Sequence, residues 1–359
     1  MVGGGGAEKS GRGAGPSRTS SGDSTPGTIL ASLPGNESDW RAAGYCAGSP
    51  FPARITPYYA SLVKGPYGPD PIALQAVPRS EELDDAGSPD PLGENAHCPV
   101  PGLIHVYSDR VLVMPTSACA VHCRHCNRRW RRDVAGPSPW HALLPGWLDY
   151  LRARDVAEVL ITGGDPLMLP ADALGEVLAR LRETLPDAVL RIGSRIPVVD
   201  PERITPALCA TLSKLHPLYL HTQLNCVAEC TPESARALTL LADAGIALGN
   251  QMVLLKGVND SADEILRVNR WLVNHRCRPY YLFLTERVRG TRHLWVSVAR
   301  GLDIASQLQR GASGLLQPHV VVDTPDGGGK VPLTRDRVRL HEKWAIVTDL
   351  KGREVVVEG

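Results

Sequence analysis

The chain has 359 residues, 43% of them hydrophobic, enough to bury one large α/β core, and one catalytic domain with extensions is the simplest organisation. Its 39 Lys and Arg nearly balance 38 Asp and Glu, which excludes a global field steering it to nucleic acid or an anionic membrane. No apolar run is long enough to span a bilayer and the N-terminus lacks the pattern of a secretory signal, so a soluble cytoplasmic protein is expected.

Residues 1–36 are rich in Gly, Ser, Thr and Pro and hold too few large apolar groups to offset their ordering entropy, so a disordered tail is predicted. Residues 37–104 carry short helical patterns broken by Pro and Gly, Tyr58–Val63 and Ile72–Val77, which predict an N-terminal helical extension. From Val111 onward short β-branched runs alternate with longer amphipathic patterns. The strands are expected at Val111–Met114, Glu158–Thr162, Val189–Gly193, Leu218–Thr222, Gln251–Leu255, Tyr280–Leu284 and Val320–Asp323. Helices are expected at Ala171–Leu185, Glu233–Ala244, Ala262–Asn274 and Val296–Gln309. This alternation predicts an α/β fold of roughly six βα units, a partial or full barrel over residues 105–335, with residues 336–359 as a short C-terminal segment. In such barrels chemistry gathers at the C-terminal ends of the strands.

Nine cysteines is an odd number, and three of them, Cys119, Cys123 and Cys126, fall within eight residues just after the first strand, which suits metal ligation better than a disulfide framework. The spacing CxxxCxxC can hold three corners of a four-iron, four-sulfur cluster and leave one iron open. A zinc site completed by His122, His125 or a distant ligand is the alternative. Gly163-Gly164-Asp165 follows the second strand, where glycines permit close backbone approach and a carboxylate can meet an ammonium group; a plain strand-to-helix loop reads the same way. The segment Val322–Pro332, VDTPDGGGKVP, is not a phosphate-cradling P-loop, because Thr324 stands where its first glycine belongs and Val331 where Ser or Thr must follow the lysine. A lysine on a mobile glycine loop suits reversible Schiff-base chemistry with an aldehyde cofactor, against the plainer reading of a surface turn.

The stretches DPLGENAHCPVPGLIHVYSDRVLV (Asp90–Val113), CRHCNRR, LITGGDPLML, RIGSRIPVVDPERITP, ADAGIALGNQMVLLKGVND, RPYYLF and VVDTPDGGGKVP together resemble the lysine 2,3-aminomutase family of radical S-adenosylmethionine (SAM), pyridoxal phosphate (PLP) enzymes, from about Asp90 onward. The resemblance implies a radical SAM partial (βα)6 barrel and an isomerase that moves an amino group from C2 to C3. It implies that Cys119, Cys123 and Cys126 bind a 4Fe-4S cluster whose open iron chelates SAM, with Gly163, Gly164, Asp165 and Gln251 in the SAM pocket. Lys330 matches the lysine that carries PLP as a Schiff base. Val106 stands where the family places an arginine near the PLP phosphate, leaving Tyr107 and Arg110 for that contact. Arg128 matches the arginine that grips the substrate carboxylate, a role suited to a planar fork. A nucleic-acid patch built from Arg128, Arg129, Arg131 and Arg132 is the competing reading.

Asp323 matches a carboxylate that meets the distal ammonium in the family's lysine enzymes, and Glu286 falls where the second is usually Asp. Two acids favour a basic amino acid, L-lysine first and L-arginine next, over glutamate. Gln223 and Cys226 replace a histidine pair of the family, and Cys226 raises the alternative of an epimerase in which it donates a hydrogen atom. Ser261 stands in place of a zinc cysteine and the chain lacks the family's cysteine-bearing C-terminal extension, so no zinc is expected. The remaining alternatives are a radical SAM enzyme acting on RNA or a peptide, and a non-catalytic iron–sulfur paralogue. The implied partners are an amino-acid substrate and an external electron donor of the flavodoxin or ferredoxin type, with no nucleic acid and no membrane, and a homo-oligomer left open.

Overall fold

A computed structural model describes residues 29–66, 70–130 and 140–358. Most of the expected disordered tail, residues 1–28, lies outside the described residues, as do Arg131 and Arg132. Ile29, Leu30 and Leu33, at the end of that expected tail, are buried instead, because three apolar side chains in five residues give it a small foot that docks in the core. Short helices α1 (Glu37–Ala42), α2 (Pro57–Ser61) and α3 (Pro71–Ala76) follow, the last two starting on Pro with Thr56 and Asp70 as side-chain caps.

Nine strands form one sheet in sequence order. β1 (Leu103–Tyr107) is a hairpin partner of β2 (Arg110–Thr116). Then β3 (Glu158–Gly163), β4 (Val189–Gly193), β5 (Leu218–Thr222), β6 (Ala247–Leu254), β7 (Cys277–Leu284) and β8 (His319–Thr324) add in parallel, and β9 (Gly329–Pro332) folds back antiparallel on β8. The crossovers carry α4 (Trp140–Arg152), α5 (Ala171–Thr184), α6 (Ile196–Val199) with α7 (Pro206–Leu212), α8 (Pro232–Asp243), α9 (Ala262–Asn274) and α10 (Val298–Gly311). The parallel strands β2 to β8, linked by six such crossovers, are the partial barrel that the alternation predicted. β1 and β9 are its two edges.

α9 shows why the helices form where they do. Ser261, at the position noted for a missing zinc cysteine, is its N-cap and accepts from Glu264 N at 3.3 Å. Ile265, Val268, Asn269 and Leu272 then recur at helical spacing and are buried, each apolar one stabilising the fold by roughly 1.5–3 kcal/mol. α4 went unpredicted because Pro145 interrupts its pattern, yet Trp140, Leu144, Trp147, Leu148 and Leu151 still share a buried face.

A second sheet of β10 (Val338–Leu340), β11 (Trp344–Thr348) and β12 (Glu354–Glu358) fills most of the expected C-terminal segment. Its β11–β12 turn braces the glycine turn between β8 and β9. Leu350 N donates to Gly328 O at 2.9 Å and Lys351 Nζ to Asp326 O at 3.0 Å, while a Cβ on Gly329 would lie 2.6 Å from Leu350 Cδ1. Lys330 therefore sits on a strand held from behind, a correction to the mobile glycine loop expected from composition.

Candidate active site

Strand alternation fixes what faces inward. On β3, Glu158, Leu160 and Thr162 point into the barrel while Val159 and Ile161 are fully buried in the core. The same period brings Arg191, His221, Gln251, Tyr281 and Asp323 to the interior from β4, β5, β6, β7 and β8. With the loops beyond the strands they enclose a cavity of about 540 Å³. Lining it are Cys119, Cys123, Cys126, Gly163, Gly164, Asp165, Gln251, Tyr107, Arg110, Arg128, Glu286, Asp323 and Lys330, all named from the sequence for the cluster, cofactor and substrate sites.

Cys119, Cys123 and Cys126 are free thiols on the loop that leaves β2. The glycine turn after β3 is laced to this loop, with Gly164 N donating to Thr116 O at 2.8 Å and Asp165 N to Ala118 O at 2.7 Å. A Cβ on Gly164 would lie 2.4 Å from Ala118 O and from Ser117 C, and Gly163 holds a φ of +111° with its own Cβ position 2.7 Å from Thr116 O. Both glycines are required because two backbones touch. Burial pushes the Cys119 thiol well up, and Asp165, Cys126 and Cys123 push the same way. Burial and then Cys123 raise Cys126 to about 11. Thiols whose ionisation burial and neighbouring sulfurs oppose are a donor set that a polynuclear cation relieves, by compensating the thiolate charge. Among the described residues no three His, Cys, Asp or Glu side chains converge on a single ion. A four-iron cluster takes its cysteines at separate corners, and the donor set fits it. Of the histidines weighed as zinc ligands, His122 Nδ1 is bound to Pro52 O at 3.0 Å and His125 Nε2 meets Gln223 Nε2 at 2.7 Å.

Asp165 accepts from Ser194 Oγ at 2.7 Å, Arg195 N at 2.7 Å and Leu167 N at 3.0 Å. Its carboxylate thus ties the end of β3 to the end of β4. Arg195, which sequence reasoning missed, donates Nη1 to Cys123 Sγ at 2.8 Å and Nη2 to Glu229 Oε1 at 2.6 Å. The signal was present as a second arginine just past a strand end in RIGSRIP.

At the other end of the cavity Lys330 Nζ donates to Asp323 Oδ2 at 2.8 Å and lies 5.9 Å from the Tyr107 ring centre and 5.6 Å from that of Phe283. Burial opposes the lysine's charge most strongly, but Asp323 and then Tyr107 together outweigh it and hold the amine above its ordinary pKa. Arg110 stacks on Tyr107 at 4.1 Å, and Arg191, paired with Glu158 at 2.5 Å, adds a second cation that the sequence did not flag. An amine, aromatic faces and cations in one enclosure fit an aldehyde, a pyridine ring and a phosphate.

Arg128 is held fork to fork by Glu94, with Nε to Oε2 at 2.8 Å and Nη2 to Oε1 at 2.5 Å. Arg129 is buried and donates to Glu82 Oε2 at 2.7 Å. Both arginines therefore turn inward, and the nucleic-acid patch loses them; Arg131 and Arg132 lie outside the described residues. Glu286 is pushed up to about 7, by burial first and then by Asp323, against the pull of Lys330 and Arg128. Cys226 is fully buried, outside the cavity lining, with Gln75 Nε2 at 3.7 Å. The epimerase alternative fails on that placement, because a hydrogen donor has to face the substrate.

A family profile for the radical SAM superfamily matches residues 113–268. The chain is 43% identical over 303 residues to an L-lysine 2,3-aminomutase of Clostridium subterminale, covering 83% of this chain and 73% of that protein. It is 45% identical over 282 residues to an L-lysine 2,3-aminomutase of Acetoanaerobium sticklandii, covering 78% and 68%. It is 39% identical over 288 residues to a glutamate 2,3-aminomutase of Clostridioides difficile, covering 80% and 68%. Among the described residues no helix is long and apolar enough to cross a membrane.

Proposed function

The chain belongs to the lysine 2,3-aminomutase family of radical SAM enzymes, isomerases that use a 4Fe-4S cluster, SAM and PLP, and from that premise we propose that it converts a basic L-α-amino acid, L-lysine first and L-arginine next, into its β-amino acid. The carrying observation is the acid pair: Glu286 and Asp323 line one cavity and act on each other strongly enough to help raise Glu286 to about 7. Two carboxylates in one cavity stabilise a cationic side chain and repel an acidic one.

When bound, the cluster with SAM supplies a carbon-centred radical, and PLP supplies an imine to carry the migrating nitrogen. Cys119, Cys123 and Cys126 would hold the cluster as three thiolates. The Gly163 and Gly164 backbone and Gln251 form the SAM pocket, with Asp165 keeping the turn in place. Lys330 would hold PLP, with the Tyr107 ring and the Arg110 cation available for its ring and phosphate. Arg128 fixes the substrate carboxylate, while Glu286 and Asp323 fix the distal ammonium and so set how far along the side chain the reacting carbons lie.

The same reading takes a low-potential one-electron donor of the flavodoxin or ferredoxin type as redox partner and the cytoplasm as location. Residues 37–104 serve as a helical extension to a barrel of residues 105–335. The test is anaerobic reconstitution with iron, sulfide, PLP, SAM and reductant, followed by incubation with lysine, arginine, ornithine and glutamate. The expected product has unchanged mass and the retention of a β-amino acid, from lysine or arginine. Turnover of glutamate alone, or lysine imine absorbance that survives in Lys330→Ala, overturns the reading.

A further inference from the structure

Glu94 has no place in the reading above, yet it makes two charge-assisted hydrogen bonds to Arg128, at 2.8 Å from Nε and 2.5 Å from Nη2. Its side chain is 9% exposed, that of Arg128 19%, and both line the cavity. A guanidinium offers two forked edges. Glu94 occupies the Nε–Nη2 edge, and Nη1 has no partner among the described residues.

Glu94 is itself firmly placed. Asp90 accepts from Glu94 N at 3.0 Å and from Asn95 N at 2.9 Å, closing the turn that presents the side chain. The preceding residues touch the β8–β9 turn: Asp326 N donates to Leu92 O at 3.1 Å, and a Cβ on Gly93 would lie 2.3 Å from Asp326 Oδ1. The segment that aims Arg128 therefore rests on the turn that precedes Lys330.

We propose that Glu94 is a positioning residue for substrate recognition: it holds one edge of Arg128 so that the Nη1 edge stands toward the cavity as a fixed fork for the amino acid's carboxylate. An unheld arginine would lose rotamer freedom on every binding event and would meet the distal acids as competitors. This rests on Arg128 being the carboxylate grip, and the experiment separates the two.

The reconstituted holoenzyme is compared as wild type, Glu94→Gln, Glu94→Asp, Arg128→Gln and the Glu94→Gln/Arg128→Gln pair. For each, KM and kcat for the amino acid and the inhibition constant of its carboxamide are measured. The carboxamide lacks the anionic fork partner, so the ratio of the two constants reports the grip alone. Glu94→Gln, which keeps size and one acceptor, is expected to raise KM by about tenfold or more with a smaller change in kcat, and to shrink the acid-over-amide preference by a similar factor. Glu94→Asp recovers part of the preference, and the double variant loses no more than Arg128→Gln alone. If Glu94→Gln keeps KM and the preference within about twofold of wild type while Arg128→Gln abolishes the preference, Glu94 is no positioning residue and the carboxylate grip stands. If Arg128→Gln leaves the preference intact, the grip is elsewhere and both readings fall.

Discussion

Lys330 and Asp323 face each other in register across the β8–β9 hairpin, with Nζ donating to Oδ2 at 2.8 Å. The acid expected to receive the substrate's distal ammonium is occupied by the protein's own ammonium. Each group compensates the other, so neither the buried cation nor the buried anion is left without a partner.

Removing that acid exposes the other force on Lys330. In Asp323→Asn the amine keeps its burial but loses the anion that does most to offset it, so its pKa falls below its present raised position. More of it is neutral near pH 7. Acetylation of Lys330 in cofactor-free protein, followed by mass spectrometry across pH, is expected to speed up, with its midpoint moved to lower pH. Turnover falls by at least about tenfold, the scale of a lost charge-assisted hydrogen bond of about 1.5–3 kcal/mol. An unmoved midpoint would show that Asp323 does not govern the lysine.

Glu286 sets a pH dependence with a definite sign. Its carboxyl is raised from 4.5 to about 7, so the folded state binds the proton more tightly than the unfolded chain, and stability falls as pH climbs through that window. Binding of a cation needs the ionised form, so KM for a basic substrate rises as pH drops below about 7. Glu286→Gln is expected to give a high KM that no longer varies over that range, and a melting temperature less sensitive to pH between 5 and 7 than the wild type's.

Gly164→Ala tests the contact between the glycine turn and the cysteine loop. The added carbon would meet backbone at 2.4 Å, where nothing flexible can yield, so the loop has to move. Stability is expected to drop by about 1–3 kcal/mol, and iron and sulfide content per chain to fall with it. Full cluster loading in this variant would mean that the loop tolerates displacement.

Cys226→Ala leaves a small void in the core and costs about 1–2 kcal/mol, read as a lower denaturant midpoint. Because the thiol is fully buried and away from the cavity, the products and the turnover number stay as in the wild type. An inverted amino acid made by wild type but not by this variant would reinstate the epimerase.

The parallel strands were legible because each is a short run rich in β-branched, aromatic or leucine residues, and α9 was read to its boundaries because Ser261 and its buried stripe are both local signals. β1 and β9 were missed since each draws its stability from a neighbour rather than from its own four or five residues. The cysteines and Lys330 were found as motifs. Glu94 was not, because it meets Arg128 across 34 positions of sequence and neither residue's surroundings announce the other. Arg191 escaped for a different reason: its place in the cavity follows from strand alternation, which becomes decisive once the barrel's inside is known.

The sheet's two edges also meet at the site. Among the described residues β1 and β9 share no ladder, but a Cβ on Gly327, in the turn before β9, would lie 2.9 Å from Val106 Cγ1, and the Lys330 ammonium stands 5.9 Å from the Tyr107 ring. A cylinder left unsewn opens first along its seam, where side chains alone hold the rims together. The residues proposed to seat PLP occupy both rims, so a ligand lodged between them works as the missing stitch. Amide exchange along Leu103–Tyr107 and Gly329–Pro332 is then the part of the barrel most slowed by loading, and the empty protein is weakest where it is meant to be filled.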